Sequence, residues 1–393
     1  MGYDLTVIGF INHADGIGRM TIGCIDTLKD DVTINYIGTH PTKTNDVSAD
    51  VLSIASNPDR TPGTVSILFN PLWYSQRSKN SYEQVPNSPI KIAYSMLEGS
   101  EIPDKWVEIL NQSFDAVAVP DIFLVDVYKK CGVIIPIFEL PLGMFLDDFY
   151  EKEERSRPSK PFVFGTTVSC FEHKNYLLLI SSFFEEFGNS DEAILKLNAR
   201  FGNVKECKKL IKSLNASNIL FTDDTLNQRQ FVDFLNSFDC FVNISKGEGF
   251  SLCPREALAL GIPCILSNNT AQTTLCKTGF VKEVPSNIEV PATYSGMFGK
   301  NTTVGVQFDS KKEDVKAALR DVYNNYDVYL EKAKLGKEWV FRYRWSELKA
   351  RYLNLVKPQQ ILLGDKNEVT DTYFMTNSIQ LYNKYTKIFD SKQ

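Results

Sequence analysis

The chain has 393 residues, a formal net charge of -5 and 43% hydrophobic residues. That length is enough for two or three domains, and the composition is typical of a folded chain rather than a disordered one. The acidic balance disfavours nucleic acid as a partner, and no apolar run approaches the roughly 18 to 20 residues that a transmembrane segment needs.

The first part of the sequence alternates short apolar runs with amphipathic stretches. Residues 5–11 form a strand-like run, and the loop after it leads into a helix predicted over 16–28. Residues 104–114 carry apolar side chains at helical spacing. The further strand candidates are 32–38, 66–70, 90–96 and 116–120. Short buried strands separated by helices predict βαβ units and a parallel sheet.

The same alternation restarts after about residue 160. The strand candidates are 161–167, 193–199, 218–223, 240–245 and 263–268, and the helix candidates are 176–187, 205–214, 227–237 and 311–357. Two successive α/β parts predict two Rossmann-like domains, over 1–145 and 146–360. Their joint lies within 141–158, where the sequence changes from apolar to highly charged between prolines. The polar tail 361–393 carries spaced aromatic residues and is predicted to dock on the body as a helix.

Eight cysteines are scattered singly along the chain, mostly in apolar surroundings. This pattern favours buried thiols in a reducing compartment over a disulfide framework or a zinc site. The first residues lack the basic region of a signal peptide, so we predict a cytoplasmic protein. The basic and aromatic cluster at 339–351 leaves peripheral contact with a membrane open, although its helical spacing favours packing.

The most informative segment is 240–268, in which a strand, a glycine-flanked loop and a helix follow one another. The helix is predicted to begin near Pro254, because proline suits the first helical position. Free N–H groups at such a helix start bind phosphate, and the loop glycines let a ligand approach the backbone. Glu248 lies on the loop, where it can reach a sugar. Glu256 lies in the first helical turn, where it can accept hydrogen bonds from ribose hydroxyls.

The pattern E-G-F-S-L-x-P-x-E-A-L-A-x-G-x-P in this segment resembles the signature of retaining glycosyltransferases of the GT-B architecture. The resemblance implies two Rossmann-like domains that face each other across a cleft. It implies that Glu248 contacts the transferred sugar near the reacting carbon and that Glu256 binds the ribose of a nucleotide-sugar donor. The groups that would hold the sugar and the phosphates are the amides of Gly249, Phe250, Ser251 and Leu252.

Residues 162–183 are similar to the first strand, loop and helix of the C-terminal domain in that family. The resemblance assigns Lys174 to the donor diphosphate, as a second catalytic residue beside Glu248. The family's arginine a few residues earlier has no counterpart here, where 168–170 reads Val-Ser-Cys. Part of the phosphate charge must then be met by other groups. Residues 94–144 resemble the end of the family's N-terminal domain.

A glycine-containing loop at 13–19 follows the first strand and opens a helix. It lacks the third glycine of the dinucleotide fingerprint, and no acidic residue ends the second strand, so NAD binding is disfavoured. The resemblance puts Gly16 and Gly18 across the cleft from the donor phosphates. Arg19 could reach an anionic acceptor or those phosphates. A solvated arginine in a first helical turn is the alternative.

The acceptor side departs from the family at the end of the predicted strand 90–96. Many relatives have a histidine there beside the transferred sugar, whereas this chain has Ser95 or Met96. Glu98 follows in a loop and could compensate, with a surface glutamate as the alternative. Three adjacent acidic pairs resemble fragments of a metal-binding Asp-x-Asp motif: Asp30–Asp31, Asp147–Asp148 and Asp223–Asp224. Adjacent acidic residues in turns are usually solvated, however, and the GT-B fold typically neutralises a diphosphate with cationic side chains and helix amides. We therefore expect no bound metal.

The resemblance implies transfer of a sugar from a UDP- or GDP-linked donor to an acceptor hydroxyl, with retention at the anomeric carbon. The donor is a co-substrate, no cofactor is implied, and the acceptor is a glycan, a lipid-linked molecule or a protein. Two alternatives stay open: a nucleotide-sugar or glycan-binding protein of the same fold that has lost transfer, and a sugar phosphorylase. The missing arginine and histidine favour the first alternative, whereas Glu248, Glu256 and Lys174 oppose it.

Overall fold

The computed structural model describes residues 2–150, 155–156, 158, 161–299, 302–356, 381, 383–385 and 387. These residues contain two six-stranded parallel sheets and one antiparallel hairpin. Helices pack on both parallel sheets, and several strands are continuous runs of buried, mostly apolar residues: Leu5–Gly9, Val65–Phe69, Ala116–Val119 and Cys240–Asn243. That pattern is expected of strands that are covered on both faces.

The first sheet is formed by β1 Leu5–Gly9, β2 Ile34–Gly38, β3 Val65–Phe69, β4 Ile90–Tyr94, β5 Ala116–Val119 and β6 Ile137–Glu139. The helices of this part are α1 Gly16–Leu28, α2 Ala49–Ala55, α3 Asp104–Ser113, α4 Ile122–Lys130 and α5 Asp147–Tyr150. The strand order is β2-β1-β3-β4-β5-β6. All neighbouring strands are parallel, so their carboxyl ends share one edge of the sheet.

The second sheet is formed by β7 Phe162–Cys170, β8 Ala193–Gly202, β9 Ile219–Thr222, β10 Cys240–Asn243, β11 Cys264–Asn268 and β12 Lys282–Pro285. The helices of this part are α6 Tyr176–Phe187, α7 Val204–Ser213, α8 Gln228–Asn236, α9 Leu252–Ala259 and α10 Gln272–Cys276. The strand order is β12-β11-β10-β7-β8-β9, again parallel. The adjacent central strands β7 and β10 lead into the loops that carry Lys174 and Glu248.

The chain then forms a hairpin, followed by three helices. The elements are β13 Ile288–Thr293, α11 Ser295–Phe298, β14 Thr303–Asp309, α12 Lys312–Asn324, α13 Tyr326–Val340 and α14 Trp345–Val356. The last helix returns to the first sheet. Trp345 packs against Gly23 and Gly143, where any Cβ would collide with the indole. The Tyr352 hydroxyl donates a hydrogen bond to the Pro141 carbonyl (2.9 Å).

The predicted fold of two parallel-sheet α/β domains is confirmed. Helices α1 and α6 have the predicted bounds. The helix predicted to begin near Pro254 begins two residues earlier, at Leu252, because the left-handed backbone of Ser251 (φ 64°) ends the loop there. The predicted helical stretch 311–357 is divided among three helices.

The predicted tail 361–393 lies mostly outside the described residues. Its described positions are helical, and the buried Tyr385 donates a hydrogen bond to the Leu355 carbonyl (2.8 Å). All eight cysteines lie in the described ranges as free thiols. Among the described helices none is long and apolar enough to cross a membrane.

Candidate functional site

The loop between β10 and α9 ends in an unusual backbone conformation. Ser251 is the residue before α9 and has φ 64° and ψ 69°, the left-handed region that a residue other than glycine rarely adopts. Its hydroxyl accepts a hydrogen bond from Gln272 Nε2 (3.3 Å) and makes no capping hydrogen bond to α9 within the described residues. By contrast, Asp15 caps α1 with its carboxylate. The first N–H groups of α9 therefore lack the side-chain acceptor that α1 has.

Glu248 is held by its backbone and by its carboxylate. Its N–H donates to Thr270 Oγ1 (2.9 Å). Its carboxylate lies 2.8 Å from Lys174 Nζ and accepts a hydrogen bond from Ser245 Oγ (2.7 Å) and a longer one from Asn243 Nδ2 (3.3 Å). Burial opposes ionisation, but the charge and hydrogen bond of Lys174, with the Ser245 hydroxyl, lower the pKa of Glu248 below its ordinary 4.5. The carboxylate is therefore ionised at neutral pH.

Lys174 ends a short 3-10 turn after β7, Glu172–Lys174. The next residue, Asn175, is left-handed and donates a hydrogen bond to Asp309 Oδ1 (2.7 Å), which fixes the turn. Burial opposes the charge of the ammonium, but Glu248 and then Glu98 raise the pKa of Lys174. The lysine is therefore a charged group in a largely buried site.

Glu98 belongs to the loop after β4, on the first sheet. Burial raises the pKa of Glu98 above its ordinary 4.5, although nearby Lys174 favours the ionised form. Glu248 adds to the increase, because the negative charges of the two carboxylates repel each other. The structure thus brings Glu98, Lys174 and Glu248 together from three separate strand ends.

The two loops of this cluster touch through glycines. A side chain at Gly247 would collide with the Glu98 carbonyl, and one at Gly249 would press on Met96 (3.0 Å to its sulfur). The glycines therefore permit a close approach of the two backbones, which a Cβ at either position would obstruct.

Glu256 is the fifth residue of α9, so it lies in the second turn and not in the predicted first turn, because the helix begins at Leu252. It is paired across the cleft. One carboxylate oxygen lies 2.5 Å from Arg19 Nη1, and the side chain is only 2% exposed. The other oxygen, Oε2, has no hydrogen-bond partner among the described residues. Burial opposes the guanidinium charge, but Glu256 raises the pKa of Arg19. The residue predicted to bind ribose thus carries one free acceptor and one occupied acceptor.

The glycine loop at 13–19 lies against the same helix start. A Cβ at Gly16 would come within 3.1 Å of Leu252 Cδ1, whereas one at Gly18 would collide with the Asn12 backbone. Gly16 therefore permits contact between the two domains, and Gly18 permits the turn of its own loop. Arg200, at the end of β8, donates a hydrogen bond to the Ala14 carbonyl (2.9 Å) from the other side.

Two further predicted site residues, Ser95 and Phe250, also have buried side chains. Ser95 is 3% exposed, and its hydroxyl accepts a hydrogen bond from the Tyr128 hydroxyl (2.8 Å). Phe250 is buried against Tyr343, with ring centroids 5.4 Å apart. Phe250 can therefore offer a ligand its backbone rather than its ring.

Arg255 is a buried charge that the sequence interpretation missed. Its guanidinium donates to the carbonyls of Phe250 and Ser251 and stacks on the Phe250 ring (3.9 Å to the centroid). It also lies 3.6 Å from Asp121 Oδ2, on the first sheet's side of the cleft. Burial raises the pKa of Asp121, although Arg255 opposes the increase. The signal in the sequence was an arginine in a helix whose only other charged residue is Glu256.

The described residues contain no group of three or more histidine, cysteine, aspartate or glutamate side chains that could hold a metal ion. Among the acidic pairs, Asp223 forms an exposed ion pair with Lys208 (2.8 Å). The site also contains the cationic side chains of Lys174 and Arg19.

Comparisons with known proteins concern the segment that carries this site and the fold of the whole chain. Residues 163–289 match the family model described as "Glycosyl transferases group 1". That range contains Lys174, Glu248 and the whole of α9. No curated protein matches the chain.

Solved structures share the fold over nearly the whole chain. A glycosyltransferase from Rickettsia africae ESF-5 has a TM-score of 0.63 at 13% identity, covering 92% of this chain and 99% of its own. Sucrose-phosphate synthase from Thermosynechococcus elongatus has a TM-score of 0.63 at 11% identity, covering 91% of this chain and 100% of its own. Anabaena Alr3699/HepE, solved in complex with UDP and glucose, has a TM-score of 0.58 at 11% identity, covering 90% and 99%. The chain therefore has the GT-B fold of these structures, and its residues 163–289 are similar to the glycosyl transferases group 1 family.

Proposed function

We propose that this protein is a retaining glycosyltransferase that moves a sugar from a UDP- or GDP-linked donor to an acceptor hydroxyl. The observation that carries the proposal is the ion pair between Lys174 and Glu248 (2.8 Å), beside the uncapped start of α9. A cation and free N–H groups suit a diphosphate, and a carboxylate suits sugar hydroxyls. The group 1 domain match supports this reading.

On the donor side, Lys174 and the first amides of α9 would bind the diphosphate. Their charge would stabilise the negative charge that develops on the departing phosphate. Glu248 would contact the sugar, and Glu256 would accept hydrogen bonds from the ribose with its free oxygen. When the phosphates bind, Arg19 would either keep its contact with Glu256 or exchange it for a contact with the phosphates. We propose that no metal ion takes part.

On the acceptor side, Glu98 would contact the sugar or the incoming hydroxyl. The proposed domain division assigns 1–145 to the acceptor and 146–360 to the donor, with 361–393 as a docked tail. Transfer with retention would occur by departure of the nucleoside diphosphate on the face that the acceptor attacks. No protein nucleophile is required, and the leaving phosphate can take the acceptor's proton.

A donor screen tests this proposal. UDP-, GDP- and ADP-sugars are added to the protein, and thermal unfolding is followed, because a ligand of the native state raises its apparent stability. Donors that stabilise are then tested for transfer, and the anomeric configuration of the product is read by NMR. Stabilisation without transfer or donor hydrolysis would indicate a binding protein, phosphorolysis without nucleotide would indicate a phosphorylase, and either would overturn the proposal.

A further inference from the structure

The hairpin β13–β14 leaves the second sheet and crosses to the first. It follows β12, the edge strand of the second sheet, and its last residues are bound there: the Phe308 N–H donates to the Lys246 carbonyl (2.8 Å). Its middle belongs to the hydrophobic core of the first sheet. The family match ends at residue 289, so nearly all of this hairpin lies beyond the matched segment.

An aromatic anchor holds the far end of the hairpin. Phe298 is 6% exposed and lies edge-on to Trp106 (5.8 Å between centroids) and parallel to Trp73 (6.3 Å). Tyr294 packs beside Phe298. The Ser75 N–H donates a hydrogen bond to the Met297 carbonyl (3.1 Å). This contact buries large aromatic rings and is therefore stable.

Gln307 connects the hairpin to the cluster of Glu98, Lys174 and Glu248. Its Nε2 donates a hydrogen bond to the Glu98 carbonyl (2.9 Å), and its side chain is 3% exposed. Its Cγ lies beside Gly247, on the loop that carries Glu248. Two hydrogen bonds between Ser100 and Val306 hold the next part of the same loop: Ser100 N–H to the Val306 carbonyl (3.0 Å), and Val306 N–H to Ser100 Oγ (2.9 Å).

We propose that this hairpin is a strap that fixes the Glu98 loop against Glu248 and Lys174, with Gln307 as its positioning residue. The proposal rests on the function proposed above only for its effect on the reaction. In this proposal Gln307 does not touch the reacting atoms. It holds the backbone carbonyl of Glu98, whose side chain would contact the sugar or the incoming hydroxyl. The aromatic anchor keeps the strap in place at its far end.

The test uses the full chain with Gln307→Met, which keeps the shape of the side chain and removes the donor. Phe298→Ala releases the anchor, and Glu289→Gln, on an exposed position of β13, is the matched control. Amide hydrogen exchange is measured over 94–101. We expect exchange there to speed up at least fivefold in the first two variants and to stay unchanged in the control, because local opening sets the exchange rate.

The second measurement is the transfer reaction. We expect Gln307→Met to lower kcat about tenfold, in the range of one lost hydrogen bond, with affinity for the nucleoside diphosphate within about twofold of the unsubstituted protein. In a Glu98→Gln background the same substitution should have almost no further effect, because it acts through Glu98.

Unchanged exchange over 94–101, or full additivity with Glu98→Gln, overturns the strap. If the unsubstituted protein transfers no sugar, the proposed function fails, and the exchange measurement still decides whether Gln307 fixes the loop.

Discussion

Replacing Lys174 by methionine removes the ammonium and keeps an unbranched side chain. In the free protein this ammonium lies 2.8 Å from Glu248, and the two side chains are only 19% and 11% exposed. A donor diphosphate bound as proposed would therefore share the lysine with Glu248. The lysine then contributes less to ground-state binding than an unpaired cation would. In the transition state the charge on the leaving phosphate increases, and the attraction to Lys174 increases with it.

We expect Lys174→Met to lower kcat about 100-fold, comparable to the loss of one preorganised oxyanion donor. Affinity for the free nucleoside diphosphate should fall about tenfold or less. A charge-assisted hydrogen bond is worth about 1.5–3 kcal/mol, and the existing pair with Glu248 offsets part of it. The loss in kcat should therefore exceed the loss in binding by roughly an order of magnitude.

Single-turnover kinetics measure the chemical step, and titration calorimetry with UDP or GDP measures the affinity. Lys334→Met is the matched control, because it removes another lysine–glutamate pair of the same length (2.8 Å to Glu331) on the surface of α13. That variant should leave both quantities unchanged. Equal losses of kcat and nucleotide affinity in Lys174→Met would refute the idea that the lysine acts mainly in the transition state.

Three other predictions concern the carboxylates and metals. Glu256→Ala should weaken nucleoside diphosphate binding more than tenfold, by about 1.5–3 kcal/mol, whereas Glu248→Gln should leave it nearly unchanged; calorimetry showing the reverse order would exchange the two assignments. Transfer should survive EDTA, and complete loss that Mg²⁺ or Mn²⁺ restores would contradict a metal-free site. Folding lowers the pKa of Glu248 from 4.5. The ionised carboxylate therefore adds to the free energy of unfolding above pH 4.5, and this contribution is lost as the pH falls through the pKa of the folded state. In urea unfolding, the Glu248→Gln variant should therefore be less stable than the unsubstituted protein near neutral pH and approach its stability in acid. A difference in the free energy of unfolding that stays constant with pH would contradict this.

Local patterns in the sequence were sufficient for the elements that support the site. The apolar residues of α6 recur at helical spacing and end at Gly188, so its bounds could be read directly. The strands β1 and β10 are fully buried runs, which stand out in composition. The loop and helix around Glu248 were recognisable because glycines, a proline and two carboxylates lie within a short segment.

Contacts between distant segments could not be read in this way. Arg19 and Glu256 are 237 positions apart, and only the packing of two sheets brings them together. The hairpin was also missed. Four of the six residues in β13 are exposed, and its buried residue, Ala292, packs in the core of the first sheet. No alternation of apolar and polar residues therefore marks this segment as a strand.

The free cleft is not an empty cationic pocket. Lys174 is paired with Glu248, and Arg19 is paired with Glu256, so both of the cations that we propose to meet the phosphates already have a carboxylate. These pairs satisfy buried charges that would otherwise be costly while no ligand is bound. A nucleotide-sugar of the proposed kind would offer both partners at once: phosphates to the cations, and hydroxyls to the carboxylates. Because one ligand can replace both sets of contacts, the pairs would select for a molecule that carries phosphate and sugar together over one that carries either alone.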